Sequence, residues 1–503
     1  MKRTAAVIGM ALALVIATGC TATVHGRAAR LPRAATDPWS AAAAGNTLVS
    51  DPTDVLAAGQ LTFLRQVATR TWNLLSGPGQ NPATHFLRDS VLLAGKPGAT
   101  VTLAPPADAQ EYTNPSLIGN WLTTIVAAKD LGVATASQAQ ANAAAVLAQL
   151  QKLATNQGFF YRWYSTKTGE ALASPQGRPV TDGYVSTVDN GWLAQGMVTA
   201  AQAFPQLAAG FNTLLSAMQW QVLYDQKDNV LFNGYQVGGS YSNATYQNAY
   251  SGPRIANYMA IGSGKVPGAL WWGPARTPPA NRRQRQVPQG QPTNYTDPQS
   301  HQNFTVFEGH YAYDHIKFVP TFDGSLYQAL APDLVVPEQS MAPNSLGLND
   351  RNTALAQGAY GAFGARTPTW GWAPATSPTG RYTNYGVPDL SSAPGNVSHD
   401  VAVPYAAFLA LATIPAQADG DITQLTATYP NIYTQYGFLD SATISTGAVA
   451  TRFMAVSQTA ILMAVDDAVD HDQLQSYVGD SSYGTTLAPY LRMEQYSIQG
   501  LAS

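Results

Sequence analysis

The chain of 503 residues is poor in cysteine and in charge, and both shortages restrict what it can be. Its one cysteine, Cys20, allows neither an internal disulfide nor a cysteine-based catalytic site, so stability must come from the core alone. Only 11% of the residues are charged, the net charge is −3 and no basic patch stands out, so we expect no nucleic-acid partner. The sequence also contains no phosphate-binding glycine loop and no Gly-x-Ser-x-Gly nucleophile motif.

Regular short strands of alternating polarity are mostly absent as well, and helical periodicity is frequent instead. Apolar residues at helical spacing predict helices near 55–75, 117–126, 139–153, 191–204, 208–223, 253–262, 350–363, 401–412, 420–428, 452–469 and 484–492. Many helices in pairs, with long aromatic-rich loops at one end, favour a toroid over a two-layer β protein. We therefore predict an all-α dominated fold, a toroid of paired helices with a few short strands.

The amino terminus has the features of a lipoprotein signal. Lys2 and Arg3 precede an apolar run at 5–17 that is too short for an ordinary membrane-spanning helix, and Cys20 follows small residues. This pattern predicts a signal peptide at 1–19, lipidation of Cys20, a flexible tether at 20–50 and a folded domain at 51–503. The protein would then be lipid-anchored on the extracytoplasmic face of the cell membrane. An ordinary signal peptide with an incidental cysteine is the alternative.

Residues 276–302 differ from their surroundings because they contain an arginine cluster and almost no apolar residues. We predict a mobile surface insertion there. Its arginines could contact an anionic glycan or lipid, although a solvated loop is the simpler interpretation.

The stretch 159–194 combines a dense aromatic run with a carboxylate at the start of a helix. The run includes Tyr161, Trp163 and Tyr164, and Asp189 lies just before an apolar helical pattern. Aromatic rings stack on the apolar faces of sugar rings, and a carboxylate binds hydroxyls or transfers protons. The stretch therefore suggests a sugar site. The alternative is that Asp189 caps the helix and the aromatic rings belong to the core.

Several short motifs stand out along the chain: NPSLIGNWL (114–122), FYRWYSTKTGE (160–170), VSTVDNGWLA (185–194), SGPRIANYMAIGSGKVP (251–267), VPTFDGSLYQALAP (319–332), LNDRN (348–352), VAVPYAAFLAL (401–411), YGFLDS (436–441) and RFMAVSQTAILMAV (452–465). They resemble the glucoamylase-like family of (α/α)-barrel proteins, which includes the β-1,2-glucanases of glycoside hydrolase family 144 and the trimming domain of cyclic β-1,2-glucan synthases. Their order and spacing over about 350 residues argue against coincidence. The resemblance implies an (α/α)6 toroid with long aromatic-rich loops.

The resemblance implies a glycosidase site that this chain retains only in part. Asp189 keeps the aspartate of the family's STVD motif. Gly252, followed by Pro253 and Arg254, occupies a position where the family has glutamate, and Gln328 occupies another. In the piece that resembles the family's Leu-Asp-Gln-Gly motif, this chain reads Ser-Gln-Thr at 457–459. Glutamine cannot transfer a proton as glutamate does, so a second carboxyl group must come from elsewhere.

Two other acids are candidates for that second carboxyl group. Glu308 lies shortly before the motif at 319–332, and Asp400 lies just before a predicted helix. Either could pair with Asp189, since glycosyl hydrolysis needs two carboxyl groups; a helix cap or a surface ion pair is the alternative for each. His310, Asp314 and His315 could be metal ligands, but nothing else completes a zinc site, and we expect neither a metal nor a cofactor.

Aromatic residues on loops rich in proline and glycine form a second group of candidates for sugar binding. Rings on such loops have less core to bury in than rings on helices, which favours glycan stacking; hydrophobic anchoring of the loop is the alternative. The predicted substrate-binding residues are Tyr161, Trp163, Tyr164, Arg254, Gln328, Trp370, Trp372, Tyr382 and Tyr385.

These observations leave three hypotheses about function. The first is an extracytoplasmic lipoprotein glycoside hydrolase that acts on an envelope or environmental polysaccharide. The second is a glycan-binding lipoprotein that has lost catalysis, as Gly252 and Gln328 permit. The third is a scaffold lipoprotein for envelope assembly. Release of oligosaccharide products, or binding without turnover, separates them.

Overall fold

The computed structural model describes residues 37–107, 110–278, 286–393 and 400–502. The predicted signal peptide and Cys20 lie outside these residues. The helices are α1 (Pro38–Ala44), α2 (Ala58–Leu75), α3 (Pro115–Asp130), α4 (Ala136–Leu150), α5 (Thr187–Ala203), α6 (Ala208–Ala217), α7 (Arg254–Gly262), α8 (Ala269–Trp272), α9 (Leu326–Leu330), α10 (Glu338–Met341), α11 (Leu346–Ala359), α12 (Pro404–Leu409), α13 (Pro415–Thr428), α14 (Ala455–Val469), α15 (Gln473–Gly479) and α16 (Ser482–Met493). Within the described ranges, none of these helices is both long and apolar enough to cross a membrane.

Strands are mostly short and pair locally within the loops. They are β1 (Ser90–Leu92), β2 (Tyr112–Thr113), β3 (Thr155–Asn156), β4 (Phe159–Phe160), β5 (Tyr164–Ser165), β6 (Tyr184–Ser186), β7 (Tyr224–Asp225), β8 (Val230–Leu231), β9 (Gly234–Gln236), β10 (Gln289–Thr296), β11 (Asn303–Tyr313), β12 (Ile316–Phe318), β13 (Ala375–Thr376), β14 (Tyr382–Thr383), β15 (Tyr433–Thr434), β16 (Gly437–Phe438) and β17 (Arg452–Met454). One pairing spans nearly the whole domain, because β1 pairs antiparallel with β17.

Six helices form a closed inner ring. Going round it, α3 packs on α5, α5 on α7, α9 on α12, α12 on α14, and α14 again on α3. Arg254 links α7 to α9 and so completes the ring, because its guanidinium donates to the backbone carbonyls of Gln328 and Ala329 on α9. The outer helices α4, α6, α16, α11, α13 and α2 each pack on one inner helix. The predicted (α/α)6 toroid is therefore confirmed, and most of the predicted helices are found within a few residues of their expected ends.

Three of the inner helices touch through their backbones. A Cβ atom added to Gly119 of α3 would lie 2.2 Å from the carbonyl oxygen of Trp192 on α5. A Cβ atom added to Gly196 of α5 would lie 2.3 Å from the carbonyl oxygen of Gly119. A Cβ on Gly191 of α5 would likewise lie 2.7 Å from the Cα of Ala256 on α7. Since real Cβ contacts are never this short, glycine at these positions sets the spacing of α3, α5 and α7.

The folded part begins earlier than the sequence indicates. The predicted tether at 20–50 includes α1, whose N-terminus is capped by the carboxylate of Asp37. Trp39 packs its ring edge-on against Trp370, and Arg351 donates to the carbonyl of Ala42. These contacts hold α1 against α11, so residues 38–44 belong to the folded domain.

The predicted mobile insertion at 276–302 is also more ordered than expected in its described part. Residues 289–296 form β10, which pairs along its whole length with β11. Arg276, at the start of the segment, is buried and forms an ion pair with Glu494. The described part therefore lies on the surface as predicted, since six of the eight residues of β10 are exposed, but β10 is a paired strand and Arg276 is buried. The arginines at 282, 283 and 285 lie outside the described residues.

Candidate active site

A cavity lies where the N-terminal ends of the inner helices converge. Its volume is about 840 Å³, part of it open to solvent. Most lining residues come from the first turns of α3, α5, α9 and α14 or from the segment before α7. The lining residues are Asp89, Asn114, Ser116, Leu117, Asn120, Arg162, Trp163, Val188, Asp189, Trp192, Gly252, Pro253, Tyr327, Gln328, Pro374, Tyr382 and Val456. Helix N-termini carry partial positive charge, so this position favours ionised carboxylates.

Asp189 lies in the cavity as predicted, in the first turn of α5. The hydroxyl of Ser116 on α3 donates to its Oδ1 at 2.5 Å, and Arg162 Nε lies 4.0 Å from its Oδ2. The side chain is 15% exposed, so the carboxylate can meet a ligand. A hydroxyl donor, a guanidinium and a helix N-terminus thus surround this carboxyl group.

The residue after Asp189 explains why the aromatic run lies over the same cavity. The side-chain amide of Asn190 accepts a bond from the N–H of Phe160 at 2.8 Å and donates to its carbonyl at 2.9 Å. These two hydrogen bonds hold β4 against the start of α5. Two residues further on, Arg162 and Trp163 therefore reach the cavity, with the guanidinium 5.3 Å from the indole centroid.

Asp89 is a second carboxyl group in the cavity, and sequence reasoning did not propose it. Its carbonyl accepts the N–H of Ala455, which fixes it at the start of α14. Burial raises the pKa of its carboxyl group to about 6, although Tyr112 donates a hydrogen bond to it and Arg452 is nearby. The two cavity carboxyl groups therefore differ in burial: each has a hydroxyl donor and an arginine nearby, but Asp89 is the more buried, and its pKa is raised.

The two positions where the resembled family has glutamate face each other in this cavity. A Cβ atom added to Gly252 would lie 3.6 Å from Cγ of Gln328, which is ordinary van der Waals contact. Gln328 is 6% exposed, and its Oε1 atom is buried without a hydrogen-bond partner. This wall of the cavity is therefore uncharged and has an unused acceptor.

Aromatic rings line the wall next to Gln328. The ring of Tyr327 stacks on Trp192 of α5 with 6.4 Å between centroids, and Asn120 of α3 donates to its hydroxyl. Tyr382, on β14, reaches the cavity from a loop and is half-buried. Together with Trp163, these rings provide the flat apolar faces on which a sugar stacks.

The structure does not bring Glu308 or Asp400 to Asp189. Glu308 lies on β11, where it accepts from the hydroxyl of Tyr295 at 2.9 Å and lies 3.9 Å from Arg276. Burial, and then the nearby Glu494, raises its pKa to about 8. Asp400 is exposed and accepts from the N–H and hydroxyl of Ser445. Neither lines the cavity, so the predicted pairings with Asp189 are not supported.

Arg254 is buried in the wall of the toroid instead of binding substrate. Its guanidinium forms a two-pronged ion pair with Glu338 at 2.8 and 2.7 Å, and Asp350 lies 3.5 Å away. Asp333, Glu338 and Asp350 place three carboxylate oxygens within 4.8 Å of one another beside it. Burial raises the pKa of Asp333 and Asp350 well above the usual range. Arg254 thus offsets part of a buried acidic cluster and holds α9 in place.

Most of the aromatic residues predicted to bind sugar are in the core. Trp372 is fully buried, with its backbone N–H donating to the side-chain oxygen of Gln357, and Trp370 packs against Trp39. Tyr385 is 6% exposed and does not line the cavity. The loops rich in proline and glycine fold back over the barrel, so their rings fill the space beneath them. Hydrophobic anchoring is the correct interpretation for all three.

Tyr161 and Tyr164 also lie outside the cavity. Their rings are nearly parallel with centroids 6.4 Å apart, and their hydroxyls donate to the carbonyls of Thr181 and Ala154. Both side chains therefore support the aromatic segment without contacting the cavity. Of the predicted site residues, the cavity therefore contains Asp189, Trp163, Gln328 and Tyr382.

Sequence comparison finds two family models that match separate parts of the chain. Residues 285–480 match a family described as “Putative glucoamylase”, and residues 103–264 match a “Protein of unknown function (DUF3131)”. No curated protein matches the sequence significantly.

Solved structures of the same fold confirm the resemblance inferred from the motifs. A putative glucoamylase from Bacteroides fragilis superposes with a TM-score of 0.68 at 17% identity, covering 86% of this chain and 96% of that one. An endo-β-1,2-glucanase from Chitinophaga pinensis, solved with sophorotriose and glucose, gives 0.64 at 17% identity, with coverages of 87% and 98%. An endo-β-1,2-glucanase from Talaromyces funiculosus, solved with sophorose, gives 0.63 at 12% identity, with coverages of 87% and 91%. The fold is therefore that of the glucoamylase-like toroids.

Proposed function

We propose that this chain is a glycoside hydrolase that acts on a polysaccharide or oligosaccharide. One observation carries the proposal: the cavity at the helix N-termini contains two carboxyl groups, Asp89 and Asp189, which differ in burial and lie among aromatic rings. Hydrolysis of a glycosidic bond needs one carboxyl group as proton donor and another as base or nucleophile. The glucanases that share the fold add support, since two of them were solved with β-1,2-linked glucose oligomers or their units.

The surroundings of the two acids assign their roles. Asp89, with its pKa raised by burial to about 6, keeps its proton at mildly acidic pH and is the donor to the leaving glycosidic oxygen. Asp189, near Arg162 and hydrogen-bonded by Ser116, is the partner that takes a proton from water or attacks the sugar directly. Trp163, whose ring lines the cavity, orients a sugar by stacking.

The amino-terminal sequence supports a location outside the cytoplasm. Lys2, Arg3 and the apolar run at 5–17 have the order of a secretion signal, and Cys20 stands where a lipoprotein is lipidated. We propose that Cys20 anchors the domain to the membrane on its extracytoplasmic face, where it meets envelope or environmental polysaccharide.

A second function competes with hydrolysis: glycan binding without turnover in organisation of the cell envelope. The observation that favours it is the neutral wall formed by Gly252 and Gln328, at positions where the resembled family has glutamate. Both functions use the same cavity, but only the first needs Asp89 as an acid.

A panel of envelope and environmental polysaccharides, including β-1,2-glucan, tests the proposal through the release of oligosaccharides. Hydrolysis predicts product with the parent protein, and Asp189→Asn should reduce turnover by roughly 10²–10⁴-fold while the fold is kept. Asp400→Asn, a change at an exposed acid outside the cavity, is the matched control and should leave turnover unchanged. Binding of a glycan with no product from any member of the panel would establish the second function instead.

A further inference from the structure

A pair of buried glutamates joins the β10–β11 hairpin to the segment that follows α16, away from the cavity. Glu308 on β11 and Glu494, directly after α16, are 2% and 1% exposed. The guanidinium of Arg276 forms a two-pronged ion pair with Glu494 and lies 3.9 Å from Oε1 of Glu308. One buried positive charge therefore faces two buried carboxyl groups, and an uncompensated negative charge would remain if both were ionised.

The two carboxyl groups form a hydrogen bond with each other, and this bond needs a proton. Ionised carboxylates accept hydrogen bonds and cannot donate them, so one member of the pair is protonated. In the part of the chain that the structure describes, no N–H or hydroxyl group donates to Oε2 of Glu308. Glu494 instead receives the guanidinium of Arg276 and the indole N–H of Trp271. Glu308 therefore holds the proton, and its burial, followed by the nearby Glu494, raises its pKa to about 8.

The other ionisable groups that face Glu308 do not titrate in the same range. Tyr295 on β10 donates its hydroxyl to Glu308, and burial raises the pKa of this tyrosine and of Tyr496 above the usual range. Burial lowers the pKa of Arg276, but the two glutamates outweigh it and leave this pKa above its usual range. Burial lowers the pKa of His310, on the same strand, to about 4. The shared proton is therefore the one that is lost as the pH rises towards 8.

The contacts that hold the hairpin to the segment after α16 surround this proton. Ser497 donates its hydroxyl to the backbone carbonyl of Glu308 at 2.6 Å. The N–H of Gln495 donates to the hydroxyl of Tyr295 at 3.2 Å. The ring of Tyr295 stacks on Trp272 of α8 with 4.8 Å between centroids. A negative charge on Glu308 would thus lie at the centre of the interface.

We propose that the Glu308–Glu494 pair is a pH-dependent latch, which holds the β10–β11 hairpin against the segment after α16 while it carries its proton and releases the hairpin when the proton is lost. In the released hairpin Glu308 is in water and has its usual pKa of 4.5, so docking takes up a proton. Docking therefore weakens as the pH rises from about 4.5 to about 8 and changes no further above that. Between pH 6 and pH 9 the opening equilibrium should shift roughly 10- to 100-fold.

Hydrogen–deuterium exchange of the full-length protein, corrected for the intrinsic pH dependence of exchange, measures the opening. Peptides from the hairpin (289–313) should lose protection roughly 10- to 100-fold between pH 6 and pH 9, whereas peptides from α3 and α5 should change much less. Glu308→Gln keeps a donor for Glu494 at nearly the same size and cannot ionise, so its hairpin should stay protected at both pH values. Asp400→Asn, a change at an exposed acid, is the matched control and should open as the parent does.

Three results would overturn the latch. They are equal protection of the parent hairpin at both pH values, opening of the Glu308→Gln hairpin to the same extent as the parent, and an equal loss of protection in α3 and α5. The parent decides alone if Glu308→Gln does not fold, because its opening should level off above about pH 8. Opening that continues to increase up to about pH 10 would assign the effect to other groups and would overturn the latch as well.

Discussion

Replacing Asp89 by asparagine should separate the free-energy cost of burying this carboxyl group from its proposed role as a proton donor. Burial raises the pKa of the Asp89 carboxyl group from 3.8 to about 6, which corresponds to about 3 kcal/mol. The folded protein holds the Asp89 proton more tightly than the unfolded chain does. Between about pH 4 and pH 6 the unfolded state therefore releases a proton that the folded state keeps, and stability falls as the pH rises through this window.

Asparagine cannot ionise, so the variant should lose this part of the pH dependence. We expect the fall in unfolding free energy from pH 4 to pH 7.5 to be about 2–3 kcal/mol smaller in Asp89→Asn than in the parent. Urea unfolding followed by tryptophan fluorescence at both pH values measures it. Other buried acids, such as Asp440 with its pKa raised by burial to about 6, contribute equally to both proteins and cancel in the comparison.

The same variant should be nearly inactive, because asparagine cannot donate a proton to the leaving oxygen. Turnover on any substrate that the parent cleaves should fall by roughly 10²–10⁴-fold. Parallel stability curves for variant and parent would refute the assignment of a buried, protonated Asp89. Full activity with the expected change in stability would leave Asp89 as a buried acid but remove it from catalysis.

Three further predictions concern the core and the anchor. Trp372→Ala should lower the unfolding free energy by about 3–5 kcal/mol, measured by urea denaturation, because the ring is fully buried; a stable variant with weaker sugar binding would contradict its place in the core. Glu338→Gln should destabilise the fold by about 3–5 kcal/mol in the same assay, because Arg254 would lose its charged partner. Unchanged stability would show that the buried Arg254 does not require the Glu338 carboxylate. Cys20→Ser should move the protein from the membrane to the soluble fraction on cell fractionation, and identical fractionation of variant and parent would reject the lipid anchor.

The fold was predictable because it depends on local patterns. Apolar residues at helical spacing mark α3, α5, α7 and α14, and these helices are long enough for the pattern to be clear. Asp189 was predictable for the same reason, since its position in the first turn of α5 follows from the pattern that starts the helix. The motifs that resemble the glucoamylase-like family supplied the arrangement of the helices in a ring, which periodicity alone cannot.

The rest of the site depends on contacts between distant parts of the chain. Arg254 resembles a ligand-binding arginine until its partner Glu338 is known, 84 residues further on. Asp89 lies directly before β1, and only the pairing of β1 with β17 carries it to the start of α14. The tryptophans at 370 and 372 were expected to be exposed because their loop contains proline and glycine. Loop composition does not show whether a loop projects into solvent or folds over a core.

The backbone contacts among α3, α5 and α7 give the cavity one fixed wall and one adjustable wall. Because Gly119, Gly191 and Gly196 leave no gap between these helices, neither sliding nor tilting is available to the side that carries Asp189. Tyr382 faces it from a two-residue strand in a loop. Any adjustment to substrates of different length or branching must therefore come from the Tyr382 side. Selection for a new glycan would be expected to alter that loop first and to leave the three glycines unchanged.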